Sequence, residues 1–91
     1  MSTIEKVKKA TSAKEKFVFN QEIIVYNDDI NTFDHVIETL VRVCDHTSEQ
    51  AEQCALLIHY KGKCGVKTGS FDTLKPLCLQ LLSAGLTAAI E

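Results

Sequence analysis

Across Asn27-Asp28-Asp29 the apolar pattern of the chain changes its period, which points to a fold that mixes strands with helices. Upstream, residues 21–27 (Gln-Glu-Ile-Ile-Val-Tyr-Asn) are β-branched and aromatic and suit the half-buried surface of a strand. Downstream, Phe33, Val36, Ile37, Leu40, Val41 and Cys44 recur at spacings of three and four, one stripe of a helix. Between them, short polar side chains hydrogen-bond the local backbone and favour a turn. Asn31 is placed to cap the helix, with Asp34 as a shortened capping box.

The same signals continue along the chain. Asp45-His46 ends the first helix, and Thr47-Ser48-Glu49-Gln50 is a full capping box for a second. The second helix should turn Ala51, Cys54, Ala55 and Ile58 inward, with Leu57 beside them, and stop at a left-handed Gly62. Cys64, Val66 and Thr68 alternate with Gly65 and Lys67, a short strand that Gly69-Ser70 turns. Leu74, Leu77, Cys78, Leu81 and Leu82 predict a third helix ending at Gly85. Pro76 lacks an N–H and is expected in its first turn, so the helix should begin near Asp72 or Thr73. Leu86–Ile90 reads as a last strand. The order β-α-α-β-α-β predicts an α+β two-layer sandwich, a three-stranded antiparallel sheet with three helices on one face.

Ninety-one residues suffice for one modest core. The net charge of −2 gives no reason to expect nucleic acid as a partner. Its distribution is uneven: residues 1–20 carry a net +3 from five lysines and two glutamates, and the remainder carries −5. Residues 1–19 show no apolar period and read as a flexible N-terminal arm, with 20–91 as the folded domain. No stretch approaches the ~20 apolar residues of a membrane span, and the first residues lack the apolar core of a secretory signal. Cysteines at 44, 54, 64 and 78 include no close pair, which fits reduced thiols in a cytoplasmic protein. The scattered histidines and cysteines lack zinc-ligand spacing, and no cofactor is expected.

Two features carry chemistry. Asn27, Asp28 and Asp29 can surround an ammonium group with charge-assisted acceptors, or they can be a strand-to-helix turn with the usual acidic bias. Calcium loops need spaced ligands and a closing Glu, absent here. His59 lies at the border of the second helix's apolar face, either as a satisfied border residue or as a hydrogen-bond partner for an amine or peptide. His35 and His46 have polar neighbours and are expected to be solvated.

With Asn27-Asp28-Asp29 before a helix, His59-Tyr60-Lys61-Gly62-Lys63 after another and Gly65-Val66-Lys67-Thr68 following, residues 23 to 90 resemble the ClpS family, adaptors of the Clp AAA+ protease. The resemblance implies a non-enzymatic module that binds N-degron substrates and hands them to a Clp-family ATPase of ClpA or ClpC type. It assigns Asn27, Asp28, Asp29 and His59 to the substrate's N-terminal amine and first peptide unit. An apolar pocket for the first side chain would draw on Ile30, Asn31, Thr32, Phe33, Val36, Ala55, Ile58 and Leu86. Lys75 would contact the ATPase, and the arm would engage it during hand-over. Many members have Thr-Pro-Met where this chain has Asn31-Thr32-Phe33, and Met where it has Ala55. A Glu that some members use against the ATPase falls near Ser70. Two other functions remain open on the residues alone. One is a fold-related protein–protein interaction domain without N-degron binding; the other is a small enzyme pairing Asp28 or Asp29 with His59.

Overall fold

The first strand explains the architecture. In a computed structural model that describes residues 21–91, β1 (Gln21–Tyr26) buries Ile23 and Val25 completely or nearly so, while Ile24 and Tyr26 turn to the other face. The expected arm, residues 1–19, lies outside the described residues. The remaining elements are α1 (Phe33–Cys44), α2 (Ser48–Lys61), β2 (Lys63–Gly69), α3 (Phe71–Ser83) and β3 (Thr87–Ile90). The sheet is antiparallel in the order β2-β1-β3, and three helices accompany it in the predicted β-α-α-β-α-β succession. Ile23 and Val25 share their core with Leu40 of α1, Ala55 and Ile58 of α2, Leu74 and Leu81 of α3, and Leu86.

The helix boundaries show which local signals prevail. Thr47 and Gln50 form the expected reciprocal capping box, each backbone N–H bonded to the other's side chain at 3.1 Å. Gly62, at φ 96°, ends α2 as predicted. For α1 the cap is Thr32, not Asn31: Thr32 is extended and its Oγ1 accepts from the His35 N–H at 3.1 Å. The Asn31 amide instead donates to the Asp28 carboxylate and the Gly85 carbonyl. For α3, Ser70 supplies the cap and the helix starts at Phe71, so Pro76 falls in the second turn rather than the first. Its missing N–H deprives the Asp72 carbonyl of a helical partner, but both residues are exposed and water can serve.

The buried face of α1 is rotated from the predicted stripe. Val36, Thr39, Leu40, Val43 and Cys44 are buried, whereas Phe33 and Val41 are 38% and 36% exposed. Thr39 can enter the core because its hydroxyl donates to the His35 carbonyl at 2.7 Å. On α2, Leu57 is exposed while Ala51, Ala55 and Ile58 are buried.

Both histidines expected in solvent are instead engaged. The pairing of β1 with β2 slips between Ile23 and Ile24, leaving Val66 without a partner in the register. Buried His46 takes up the Val66 carbonyl through Nε2 at 2.8 Å, satisfying an acceptor that the bulge removes from the ladder. Half-buried His35 does the same for the Ala84 carbonyl at 2.8 Å.

All four cysteines are free thiols. Burial, with the neighbouring Cys54 thiol, pushes Cys64 up to about 12, which makes it a poor nucleophile at neutral pH. Among the described residues, no helix is long and apolar enough to cross a membrane, and no cluster of three or more His, Cys, Asp or Glu could hold a metal.

Leu40→Ala should destabilise the domain by ~2–5 kcal/mol in denaturant unfolding, because Leu40 is fully buried at the helix–sheet interface. Val41→Ala, on the neighbouring exposed row, should change stability by less than ~1 kcal/mol. Equal losses would contradict the rotated stripe.

Candidate functional site

Two turns of backbone bring the polar residues together. The N–H of Asn27, just past β1, donates to the carbonyl of Gly62, just past α2, at 2.9 Å. The end of β1 is thereby tied to the helix end that carries His59 in its last turn.

Within the turn that follows, Asp28 is the hub. One carboxylate oxygen accepts the N–H groups of Ile30 and Asn31, both at 2.9 Å. The other accepts the Asn31 side-chain amide at 2.9 Å and the Thr87 hydroxyl of β3 at 3.4 Å. The Asn31 N–H above all lowers the pKa of Asp28; burial opposes it, and the Ile30 N–H, the Asn31 amide and the Thr87 hydroxyl add to it. Asn31 also donates to the Gly85 carbonyl at 2.8 Å. These bonds occupy Asp28 and Asn31 and leave the Asn27 and Asp29 side chains exposed.

The exposed acceptors face a cleft of ≈ 540 Å³, within the usual range for ligand sites. Its polar lining comes from Asn27, Asp28, Asp29, Asn31 and His59. Its apolar lining comes from Phe33 and Val36 of α1 and from Ala55, Leu56 and Ile58 of α2, with exposed Tyr60 at the mouth. The His59 and Tyr60 rings meet edge to face, with centroids 4.8 Å apart and planes at 83°. The cleft can therefore accept hydrogen bonds from a cation and also cover an apolar group.

Nine residues expected at a binding site from the sequence line this cleft, and three others do not. Ile30 is 87% exposed at the tip of the turn, Thr32 is consumed by capping, and Leu86 is 4% exposed within the core. Lys75 is exposed on α3 and does not line the cleft. Leu56 and Tyr60 are additions. They follow Ala55 and His59 directly and stand four apart, so they share a helix row beside the buried one. Apolar periodicity does not mark that row because Leu56 is only half-buried and Tyr60 is exposed.

Comparison with known proteins places the chain in one family. Residues 19–89 match the family described as ATP-dependent Clp protease adaptor protein ClpS. The chain is 39% identical over 71 residues to the ATP-dependent Clp protease adapter protein ClpS of Thermosynechococcus vestitus, covering 77% of this chain and 76% of the relative. It is 29% identical over 86 residues to the protein of the same name from Treponema denticola, covering 92% and 85%. The Nostoc protein of that name is 39% identical over 71 residues, covering 77% and 73%.

The lowered pKa of Asp28 makes the turn sensitive to acid. A carboxylate depressed on folding contributes stability that is present above its unfolded pKa and is lost as pH falls through the folded one. Asp28→Asn should therefore lower the melting temperature most above about pH 5, and the difference should shrink as pH falls below the usual Asp value of about 4. Melting curves across that range test this; a difference that is independent of pH would contradict it.

Proposed function

Because the chain belongs to the ClpS family of ATP-dependent Clp protease adaptor proteins, we propose that it is a non-enzymatic adaptor for N-degron substrates. It captures proteins by a free N-terminal amine and a bulky apolar first side chain, and passes them to a Clp-family AAA+ ATPase of ClpA or ClpC type in the cytoplasm. One observation supports the reading above the rest: exposed acceptors and an apolar wall share a single cleft. An ammonium group has three N–H donors. The Asn27 side-chain oxygen, the Asp29 carboxylate and a His59 ring nitrogen are three acceptors on two converging elements. The first side chain then lies against Val36, Ala55 and Ile58. Asp28 takes part through the turn, since its oxygens are already engaged. Exposed Lys75 on α3 is the candidate contact for the ATPase.

A hydrophobic surface alone would not require a charged chain end, so acetylation separates this reading from a general interaction domain. A Phe-initiated peptide should bind ~10- to 100-fold more tightly than its N-acetylated twin, the loss of ~1.5–3 kcal/mol expected for a hydrogen bond to a charged group. Asp29→Ala should remove most of that difference without lowering the melting temperature. Equal affinity for the two peptides would refute the adaptor reading.

Selectivity follows from Phe33, which is 38% exposed at the cleft. An aromatic first residue can stack on it for ~0.5–1.5 kcal/mol, while Ala55 leaves room on the opposite wall. Phe and Tyr should bind better than Leu, and β-branched Ile and Val should be rejected. Phe33→Ala should flatten this ranking more than it weakens Phe binding. Peptides differing only in their first residue provide the measurement, and an unchanged ranking would return Phe33 to a packing role.

A further inference from the structure

We propose that Asn31 is a positioning residue for amine recognition, its side-chain amide setting the spacing of the Asn27 and Asp29 acceptors by clamping their turn to the carbonyl of Gly85. The proposal rests on the reading of the cleft given above and concerns what holds its polar end in shape.

The turn from Asn27 to Asn31 has little packing of its own. Asn27, Asp29 and Ile30 are exposed. Acceptors on a mobile turn would have to be ordered by each ligand, and that ordering subtracts from affinity. Besides the longer 3.4 Å bond from the Thr87 hydroxyl to Asp28, two short hydrogen bonds tie the turn to the rest of the domain. At its start the Asn27 N–H reaches the Gly62 carbonyl at 2.9 Å, and at its end the Asn31 Nδ2 reaches the Gly85 carbonyl at 2.8 Å. Both carbonyls belong to left-handed glycines, at φ 96° and 94°, that follow helix ends, where acceptors are in surplus. The Gly85 anchor is itself held, because His35 engages the carbonyl of Ala84 at 2.8 Å.

The first tie is backbone to backbone and asks nothing of the side chains. The second depends on what residue 31 is. Its amide nitrogen carries two protons and meets two acceptors, Gly85 O and Asp28 Oδ2, at 2.8 and 2.9 Å. A hydroxyl has one proton and could serve only one of them; a carboxylate has none. A Cβ on Gly85 would lie 3.6 Å from the Asn31 side-chain oxygen, so the amide already rests against that glycine. Asn31 thus joins the cleft's polar turn to the α3–β3 connection, and through Asp28 it also shares the Thr87 hydroxyl of β3.

Asn31→Ala and Asn31→Asp test the claim in the full chain against the Phe-initiated peptide and its acetylated twin. Both variants should stay folded with lowered melting temperatures, Asn31→Asp the more so because its carboxylate would face that of Asp28. Both should lose about tenfold in affinity for the free amine and little for the acetylated peptide, so the ratio between the two falls. Asn31→Asp separates position from charge, because it adds a negative charge near the ammonium yet donates no hydrogen bond. A wild-type ratio in Asn31→Ala, or tighter amine binding by Asn31→Asp, would overturn the proposal. A readout without peptide decides the same point. In 15N NMR spectra, Asn31→Ala should broaden or shift the backbone amides of Asn27, Asp28 and Asp29 while those of Ile23–Val25 stay in place; an unchanged turn would overturn the claim. For wild type, slow exchange of the Asn31 side-chain amide protons is expected, and rapid exchange would count against the clamp even if a variant failed to fold. If wild type binds both peptides alike, the adaptor reading fails, and the NMR results still decide whether Asn31 positions the turn.

Discussion

The hydrogen bond from the Asn27 N–H to the Gly62 carbonyl, 2.9 Å long, is the constraint on which the site depends. It links the end of the central strand to the end of a helix distant in sequence. On one side of it stand Asn27 and Asp29, and on the other, one turn back along α2, stands His59. The bond itself contributes on the order of 1 kcal/mol. Its consequence is geometric, since it fixes how far apart the two halves of the polar site can be. Gly62 makes it possible by turning left-handed at φ 96°, a conformation that strains other residues.

The core makes that link reproducible. Ile23 and Val25 share one core with residues of all three helices, which sets the face and register of the central strand. The polar turn divides its labour accordingly. Asp28 and Asn31 are absorbed in holding the turn, and Asn27 and Asp29 are left exposed. Two adjacent carboxylates pointing the same way would repel each other. Surrounding Asp28 with donors keeps its charge favourable in place and leaves Asp29 as the outward acceptor. A preorganised acceptor pair beside an apolar wall suits an ammonium group attached to a hydrophobic side chain better than it suits either alone.

Much of the fold was legible because its signals are local. Periodicity located the six elements, Thr47 and Gln50 announced their capping box, and Gly62 announced the end of α2. The Asn27-Asp28-Asp29 and His59 runs pointed to residues that the fold places in one cleft. What was not legible depends on partners distant in sequence. Asn31 looked like a helix cap, but the Gly85 carbonyl and Asp28 claim its amide, and Thr32 caps instead. His35 and His46 looked solvated, but each is drawn to a carbonyl that only the folded chain presents. The rotated stripe of α1 has a local origin instead: Thr39 enters the core because its hydroxyl is satisfied four residues back at His35, and Phe33 was left for the cleft. Pro76 was misplaced because Ser70 offers an earlier cap than the apolar spacing suggested.

A crystal structure of the protein with a Phe-initiated peptide would show where the terminal amine is held. The peptide's terminal nitrogen should lie within hydrogen-bond distance of the Asn27, Asp29 and His59 side chains, with the first ring against Val36, Ala55 and Ile58. Asp28 and Asn31 should keep their bonds within the turn. A peptide seated elsewhere on the domain, or seated in the cleft with its terminal amine in solvent, would contradict the account.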